Sequence, residues 1–444
     1  MIRPSLRLTS ALLCALSLTL TASCSGARYR STTDDGARTG PGSVSTAQCD
    51  SYQPTAGVSD KDITLGTTLP VTGPLAAAGT IRYGLQAYFD YINAEHGGVK
   101  GHRVRLLVRD DAYDPARAAT NVGELTGHSN VFALVSPVGT ANVLAFRDDL
   151  EQQCIPNLLV ASGAPAFADT AHPWTLTGLP TYSAEAAALA ETITASKKVK
   201  TVAVLSQNDD YGRAYLDAFQ ARLAGSHVKV VAKRTYDVTQ PTVDTQVTQL
   251  AATKADAVLV AALGAKCPQI TNGIADTTWR PKVLVGSLCT TRSLMQLMKP
   301  AARDALVTTQ WYKSPGNKRW ASDPAMALYR KKIAQYAPKA DPNEDFVLNG
   351  WLWGQLTVDL LERAPKLTRA DVMSTARAAS LKTDTMLDGV SFRTGPDDAS
   401  PLESLQPVQY TASGFSPIDA ATGKLLPNGE TKLVSFEGTS GKTK

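Results

Sequence analysis

VRLLVRDDAYDPARAA, residues 104–119, is where the architecture of this chain can first be read. It carries Asp110, Asp111 and Asp114 in D-D-x-x-D spacing, which some metal-dependent enzymes use to hold magnesium on one helix face. Pro115 argues against that use. Proline is favoured at the first helical position, and an aspartate directly before it makes a good N-cap. The helix therefore begins at Pro115. The three carboxylates lie on a strand end and a loop, where they cannot share a helix face. Asp114 as the cap contributes about 1 kcal/mol. What remains is a strand, VRLLVRD, feeding a capped helix, which is half of a βαβ unit.

The same alternation runs outward in both directions. ITLGTTL (63–69) reads as a strand. TIRYGLQAYFDYINAE (80–95) repeats apolar residues at helical spacing through Ile81, Leu85, Tyr88, Phe89 and Ile92. VFALVS (131–136) and PNLLVAS (156–162) are further strands, each after a helix. The pattern then restarts. A helix at 182–196 leads to TVAVLSQ (201–207), a helix from Tyr211 to VKVVAKRTY (228–236), a helix at 242–253 to DAVLVAAL (256–263), and another helix to KVLVGS (282–287). This βαβα order predicts parallel sheets covered on both faces. Two like units meeting near Thr177–Tyr182 predict two α/β lobes. ALVTTQW (305–311) adds a strand and NEDFVLNGWLWGQLTVDLLERA (343–364) a helix, and from about Val390 the chain reads as strand and turn.

With 444 residues the chain exceeds one typical domain. The formal net charge is +5, or about +3 without Arg3 and Arg7 of the leader. No dense Lys/Arg stripe is interleaved with aromatics, so no nucleic acid is expected as a partner. MIRPSLRLTSALLCALSLTLTASC (1–24) reads as a secretory signal, with an apolar core from Leu8 to Leu20. Thr21-Ala22-Ser23-Cys24 resembles a bacterial lipobox, in which the cysteine is acylated. Thr21 departs from the more usual Leu, and ordinary cleavage with Cys24 incidental is the alternative. No later stretch reaches the ~18 apolar residues of a membrane helix. The expected location is therefore the outer face of the cell membrane, through a lipid anchor. Residues 25–57 are rich in Ser, Thr, Gly and Arg and read as a flexible tether.

Cys49, Cys154, Cys267 and Cys289 follow the leader. An even count in an exported chain suggests two disulfides, with three pairings open. If DAVLVAAL and KVLVGS are parallel neighbours ~4.8 Å apart, Cys267 and Cys289 leave the same sheet edge. That suits the Cα separation of ~5.5 Å a disulfide prefers, and leaves Cys49 to Cys154. A zinc site is the rival reading. It lacks any C-x-x-C pair, and His96, His102, His128, His172 and His227 are scattered. GTSGKT (438–443) has the wrong spacing for a phosphate loop and no room for a following helix. There is no G-x-S-x-G, H-E-x-x-H or G-x-G-x-x-G. No metal, cofactor or catalytic set is expected, and an exported hydrolase is the weakest alternative.

Several stretches together resemble the solute-binding proteins of ABC transporters for branched-chain amino acids, the Leu/Ile/Val-binding family. They are ITLGTTLPVTGPLAAAG (63–79), YINAEHGGVKGHRVRLLVRDDAYDPARA (91–118), FALVSPVGTANV (132–143), IPNLLVASGAPAF (155–167) and VAVLSQNDDYGRAY (202–215), in the family's order. The resemblance implies the type I periplasmic binding protein fold: two Rossmann-like lobes with parallel sheets joined by three crossover strands. The crossovers would fall near Thr177–Tyr182, Val307–Trp311 and Phe392–Leu402. The expected segments are a leader at 1–23, a tether at 24–58, lobe 1 at 59–178 and 307–395, lobe 2 at 179–306 and 396–437, and a tail at 438–444.

In parallel sheets ligands bind beyond the carboxyl ends of strands. Loop SPVGTA follows VFALV, with Thr140 placed as the N-cap of the next helix and free amides after it as an anion site. Ser162 and Gly163 occupy the matching loop after NLLVA. The resemblance implies that these two loops, with Val138, Gly139, Thr140, Ser162, Gly163 and Ala164, hold the ligand's carboxylate. Thr140 as a plain cap and Ser162 as a turn residue are the alternative. Tyr211 stands where the family closes an aromatic from lobe 2, and packing at a helix start is its other role. Relatives that bind amino acids carry a hydroxyl at the position of Ala164 and an acid near Leu288, beside Ser287. Ala78 and Leu263 replace family aromatics. An unpaired buried ammonium is costly, so a carboxylate-bearing apolar or aromatic compound, or an amide, is expected rather than a typical amino acid. The partners implied are that small-molecule ligand and an ABC permease with its ATPase, and the receptor is expected to be a monomer. A sensory module of the same fold is the alternative.

Overall fold

The computed structural model describes residues 42–436. The leader, Cys24, the first part of the tether and the 438–444 tail lie outside the described residues. Among the described residues no helix is long and apolar enough to cross a membrane.

Lobe 1 begins with β1 (Asp62–Leu69), α1 (Ile81–Glu95), β2 (Arg103–Asp110), α2 (Pro115–Thr126), β3 (Ala133–Val135), α3 (Thr140–Gln153), β4 (Asn157–Val160) and β5 (Thr175–Thr177). Its sheet has the order β2-β1-β3-β4-β5, parallel throughout. Every strand-to-strand return before β5 is made by a helix, as parallel pairing requires. β5 is a strand that periodicity did not reveal, because three residues are too few to show a pattern. The chain then enters lobe 2 through α4 (Tyr182–Thr194). β6 (Thr201–Gln207), α5 (Asp210–Leu223), β7 (Lys229–Tyr236), α6 (Asp244–Ala251), β8 (Ala257–Ala261), α7 (Lys266–Asp276) and β9 (Lys282–Val285) follow. Two short helices, α8 (Arg292–Leu297) and α9 (Pro300–Arg303), precede β10 (Val307–Gln310).

The chain returns to lobe 1 for α10 (Pro324–Tyr336), α11 (Asp345–Arg363), α12 (Arg369–Ala376), β11 (Ser380–Leu381) and β12 (Phe392–Arg393). It ends on lobe 2 with β13 (Ser404–Thr411), β14 (Gly414–Pro417) and β15 (Val434–Ser435). The second sheet runs β14-β13-β10-β9-β8-β6-β7. β10 is parallel to β9 and antiparallel to β13, so it belongs to lobe 2, and the second passage follows it. The expected boundary at 307 is corrected accordingly. The third passage lies between β12 and β13, a span that contains the expected boundary at 395/396.

The carboxylates of the opening stretch each have a structural task. Asp110 accepts from the amides of Val71 (2.9 Å), Thr72 (3.1 Å) and Ala112 (3.0 Å). Asp111 accepts from Thr68 Oγ1 and from the Tyr113 amide, both at 2.8 Å. Asp114 caps α2 by accepting from the Arg117 amide at 2.9 Å. Lobe 1 is closed over its sheet by α11 lying on α1. The contact is backbone against backbone: a Cβ at Gly84 would lie 1.9 Å from the Val347 carbonyl oxygen, and one at Gly350 2.0 Å from that of Ile81. This fit fixes which turn of α11 faces the cleft.

Residues 42–58 are bound to lobe 1, which corrects the tether expected to reach that far. The amides of Val44, Asp50 and Arg369 bond to Ser374 Oγ, the Gln152 carbonyl and the Pro54 carbonyl, respectively. Tyr52 Oη accepts from the Ala370 amide at 3.0 Å. Polar attachments and a disulfide do here what aliphatic burial does elsewhere, and mean hydropathy does not register them. The disulfides are Cys49–Cys154 and Cys267–Cys289, with Cα separations of 5.6 and 5.4 Å. β8 and β9 are parallel neighbours, which is the arrangement that brings the second pair together.

Candidate functional site

The carboxyl ends of β1, β3 and β4 in lobe 1 and of β8 and β9 in lobe 2 face one another across a cavity. Its empty volume is about 540 Å³, part of it open to solvent. Most of its wall belongs to lobe 1. Lobe 2 contributes Tyr182, Leu263, Gly264 and Leu288.

The polar end is built on α3. Gly139 is its N-cap, at φ +104°, a backbone region that favours glycine. Thr140 is the first helical residue and does not cap, which corrects the expected role. Its Oγ1 instead shares a hydrogen bond of 2.8 Å with Ser162 Oγ, both side chains buried. The first-turn amides of α3 have no intrahelical acceptors and carry the positive end of the helix dipole. Tyr182 extends this polar group. Its hydroxyl lies near Ser162 and Thr140, and burial pushes its pKa up to about 12, so it stays protonated at neutral pH.

Of the residues expected at the site, the structure places Ala78, Val138, Gly139, Thr140, Leu263 and Leu288 on the cavity wall. Ser162, Gly163 and Ala164 lie directly behind it. A Cβ on Gly163 would meet the Pro180 carbonyl oxygen at 2.2 Å, so this glycine admits the first crossover. Tyr211 is not on the wall. It is fully buried, donates to the Ala262 carbonyl at 3.1 Å, and packs edge-on behind Tyr182 at 4.9 Å. The aromatic that lobe 2 presents to the cavity is therefore Tyr182. The Ser287 amide points to Glu185 Oε1 at 2.9 Å, away from the cavity.

Sequence reasoning missed Tyr113, Tyr182, Phe346 and Trp353, all on the wall. Phe346 and Trp353 sit seven residues apart on α11, hence on one helix face, but most of this helix is buried, so its pattern does not say which face meets a cavity. None of the residues lining the cavity is ionised at neutral pH. The nearby buried carboxylates are already engaged. Glu185 accepts from Tyr215 Oη, from Thr309 Oγ1 at 2.7 Å and from the Ser287 amide, and burial raises its pKa. Asp111 is likewise held up by burial while it accepts from Thr68 and the Tyr113 amide.

Two parallel α/β lobes with a mostly apolar cavity at the facing strand ends define a bilobal receptor for small molecules. Residues 62–414 match the model of the periplasmic binding protein family, and the chain belongs to that family, in its branched-chain amino acid-binding type I group. The chain is 24% identical over 334 residues to the Leu/Ile/Val-binding protein BraC3 of Rhizobium johnstonii, covering 74% of this chain and 87% of that protein. Its fold is similar to that of a substrate-binding periplasmic protein from Ralstonia solanacearum, with TM-score 0.70, 23% identity, and 80% and 99% of the two chains covered. It is also similar to an ABC transporter solute-binding protein from R. palustris in complex with benzoate, with TM-score 0.70, 17% identity, and 85% and 98% covered. Proteins of this family are extracytoplasmic solute receptors of ABC transporters that bind small molecules and work with permeases, and its homologues are solute-binding proteins rather than enzymes.

Proposed function

We propose that this receptor captures a small apolar or aromatic molecule with a carboxylate or amide head, not a typical amino acid, and delivers it to an ABC importer from a lipid-anchored position. The observation that carries the reading is the pairing of an apolar wall, free of ionised side chains, with a single polar end at α3. An α-ammonium group bound here would meet no free carboxylate and would remain buried and unpaired. A carboxylate would meet the first-turn amides and the hydroxyls of Thr140 and Tyr182, with Ser162 bonded to Thr140 from behind, while its apolar body packed against Phe346, Trp353 and Leu288. A benzoate complex of a protein with the same fold is consistent with such a ligand.

A thermal-shift screen tests this with paired aromatic and aliphatic carboxylates, amides and amino acids. A ligand at 100 times its dissociation constant adds about 2.7 kcal/mol of stability. The expected hits are carboxylates or amides. Stabilisation by leucine, isoleucine or valine, with none by the others, would overturn the ligand class.

A further inference from the structure

Resting on that reading, we infer that the Tyr113 hydroxyl is a ligand-binding donor, and that it selects a carboxylate over an amide. Tyr113 is held in place by its loop. Ala112 and Tyr113 both take left-handed backbone angles, φ +49° and +63°, uncommon for residues with side chains. Asp110 and Asp111 fix this turn by accepting the amides of Ala112 (3.0 Å) and Tyr113 (2.8 Å). The result is a ring laid over the start of α3. A Cβ on Gly139 would meet Tyr113 Cε2, the ring carbon next to the hydroxyl-bearing one, at 2.7 Å. The hydroxyl therefore lies by the first turn of α3, beside the polar end of the cavity, whose wall the ring lines.

That hydroxyl is buried, in a residue only 9% exposed, and has no hydrogen-bond partner among the described residues. Gln207 of lobe 2 is a polar neighbour, close enough to favour the phenolate but outside hydrogen-bond geometry. The Gln207 oxygen, however, accepts from Tyr236 Oη at 3.1 Å, and its nitrogen donates to Asp209 Oδ2 at 2.5 Å. A buried hydroxyl without a partner is costly, and a ligand oxygen at the α3 terminus would satisfy it. Burial holds the phenol well above its ordinary pKa, so it presents a proton to the ligand. With the α3 amides also donating, a head group made only of acceptors suits the site. The NH2 of an amide would set a donor against donors.

The test uses the full-length protein, Tyr113→Phe and Thr140→Ala, with benzoate, octanoate, benzamide and leucine as probes in calorimetry. Wild type is expected to bind a carboxylate probe at least tenfold more tightly than benzamide. Tyr113→Phe should lose about tenfold for the carboxylate and much less for benzamide. Equal carboxylate affinity in Tyr113→Phe and wild type, beside a weakened Thr140→Ala, would overturn this inference and leave the proposed ligand class standing. Binding of leucine alone, or of no probe, would overturn both. A ligand-free melt gives an independent readout. Tyr113→Phe is expected to melt at or above the wild-type temperature, because no bond is lost. A clear drop would show that the hydroxyl serves the fold and would overturn the assignment.

Discussion

Thr140 shows how one residue carries two readings. Its place before a helix suggested a cap. In the structure Gly139 takes that position and frees the Thr140 hydroxyl for Ser162. Thr140→Ala should therefore cost about 1–3 kcal/mol of stability, because buried Ser162 loses its partner, and weaken binding of a carboxylate ligand by about 1.5–3 kcal/mol, as for a hydrogen bond to a charged group. Calorimetry and a melt on the same sample separate the two, and a loss of stability with unchanged affinity would show that the hydroxyl serves the fold alone. Gly139 admits no such substitution. Ala there would combine an unfavourable φ with a 2.7 Å approach to Tyr113, so Gly139→Ala should disturb the polar end and reduce binding. The contribution of Thr140 was legible because a hydroxyl next to a glycine at a strand end is a local signal. Those of Tyr113 and Tyr182 were not, because each lines the cavity by virtue of contacts with distant segments.

The elements are more legible in the sequence than the points where they meet. Runs such as TVAVLSQ (201–207) coincide with a strand because their apolar character and length are intrinsic to the segment. The packing of α1 on α11 was not legible: Gly84 and Gly350 lie more than 260 residues apart, and nothing local says that two glycines meet. Gly350→Ala should force this crossing apart and cost about 1–3 kcal/mol, the usual range for overpacking. It should also shift Phe346 and Trp353 and so weaken binding. Urea unfolding with unchanged midpoint and slope would show that the crossing is looser than the structure has it. The Cys267–Cys289 bridge was legible because it needs only two neighbouring strands. Its loop of 22 residues corresponds to about 3 kcal/mol of chain entropy, so the double Cys→Ser variant should lose a comparable amount of stability while Cys49–Cys154 remains oxidised.

At the scale of the whole molecule, the lobes meet through charge as well as through the crossovers. Glu344 and Asp345 open α11 in lobe 1, and they accept the first amides of α8 in lobe 2. The Ser293 amide bonds to Glu344 Oε2 at 2.9 Å and the Arg292 amide to Asp345 Oδ2 at 3.0 Å. Ser314 Oγ and Tyr312 Oη, on the second passage between lobes, donate to Asp345 Oδ1, and Arg292 pairs with Asp341 at 3.1 Å. Burial, together with the adjacent Asp345 charge, raises Glu344 to about 7, and burial raises Asp345 to about 6. A raised carboxyl keeps its proton in the folded protein after the unfolded chain has released it. The stability this pair confers is thus fully present below the ordinary carboxyl range and is lost as pH rises from there through about 6 to 7. Asp110 and Asp323, held below their ordinary values, act in the opposite sense and at lower pH. Unfolding free energy should therefore decline across pH 4.5 to 7, and Glu344→Gln, which cannot ionise but can still accept from Ser293, should flatten that decline. An identical slope in the variant would show that the pair titrates as ordinary surface carboxylates and does not lock the lobes at this seam.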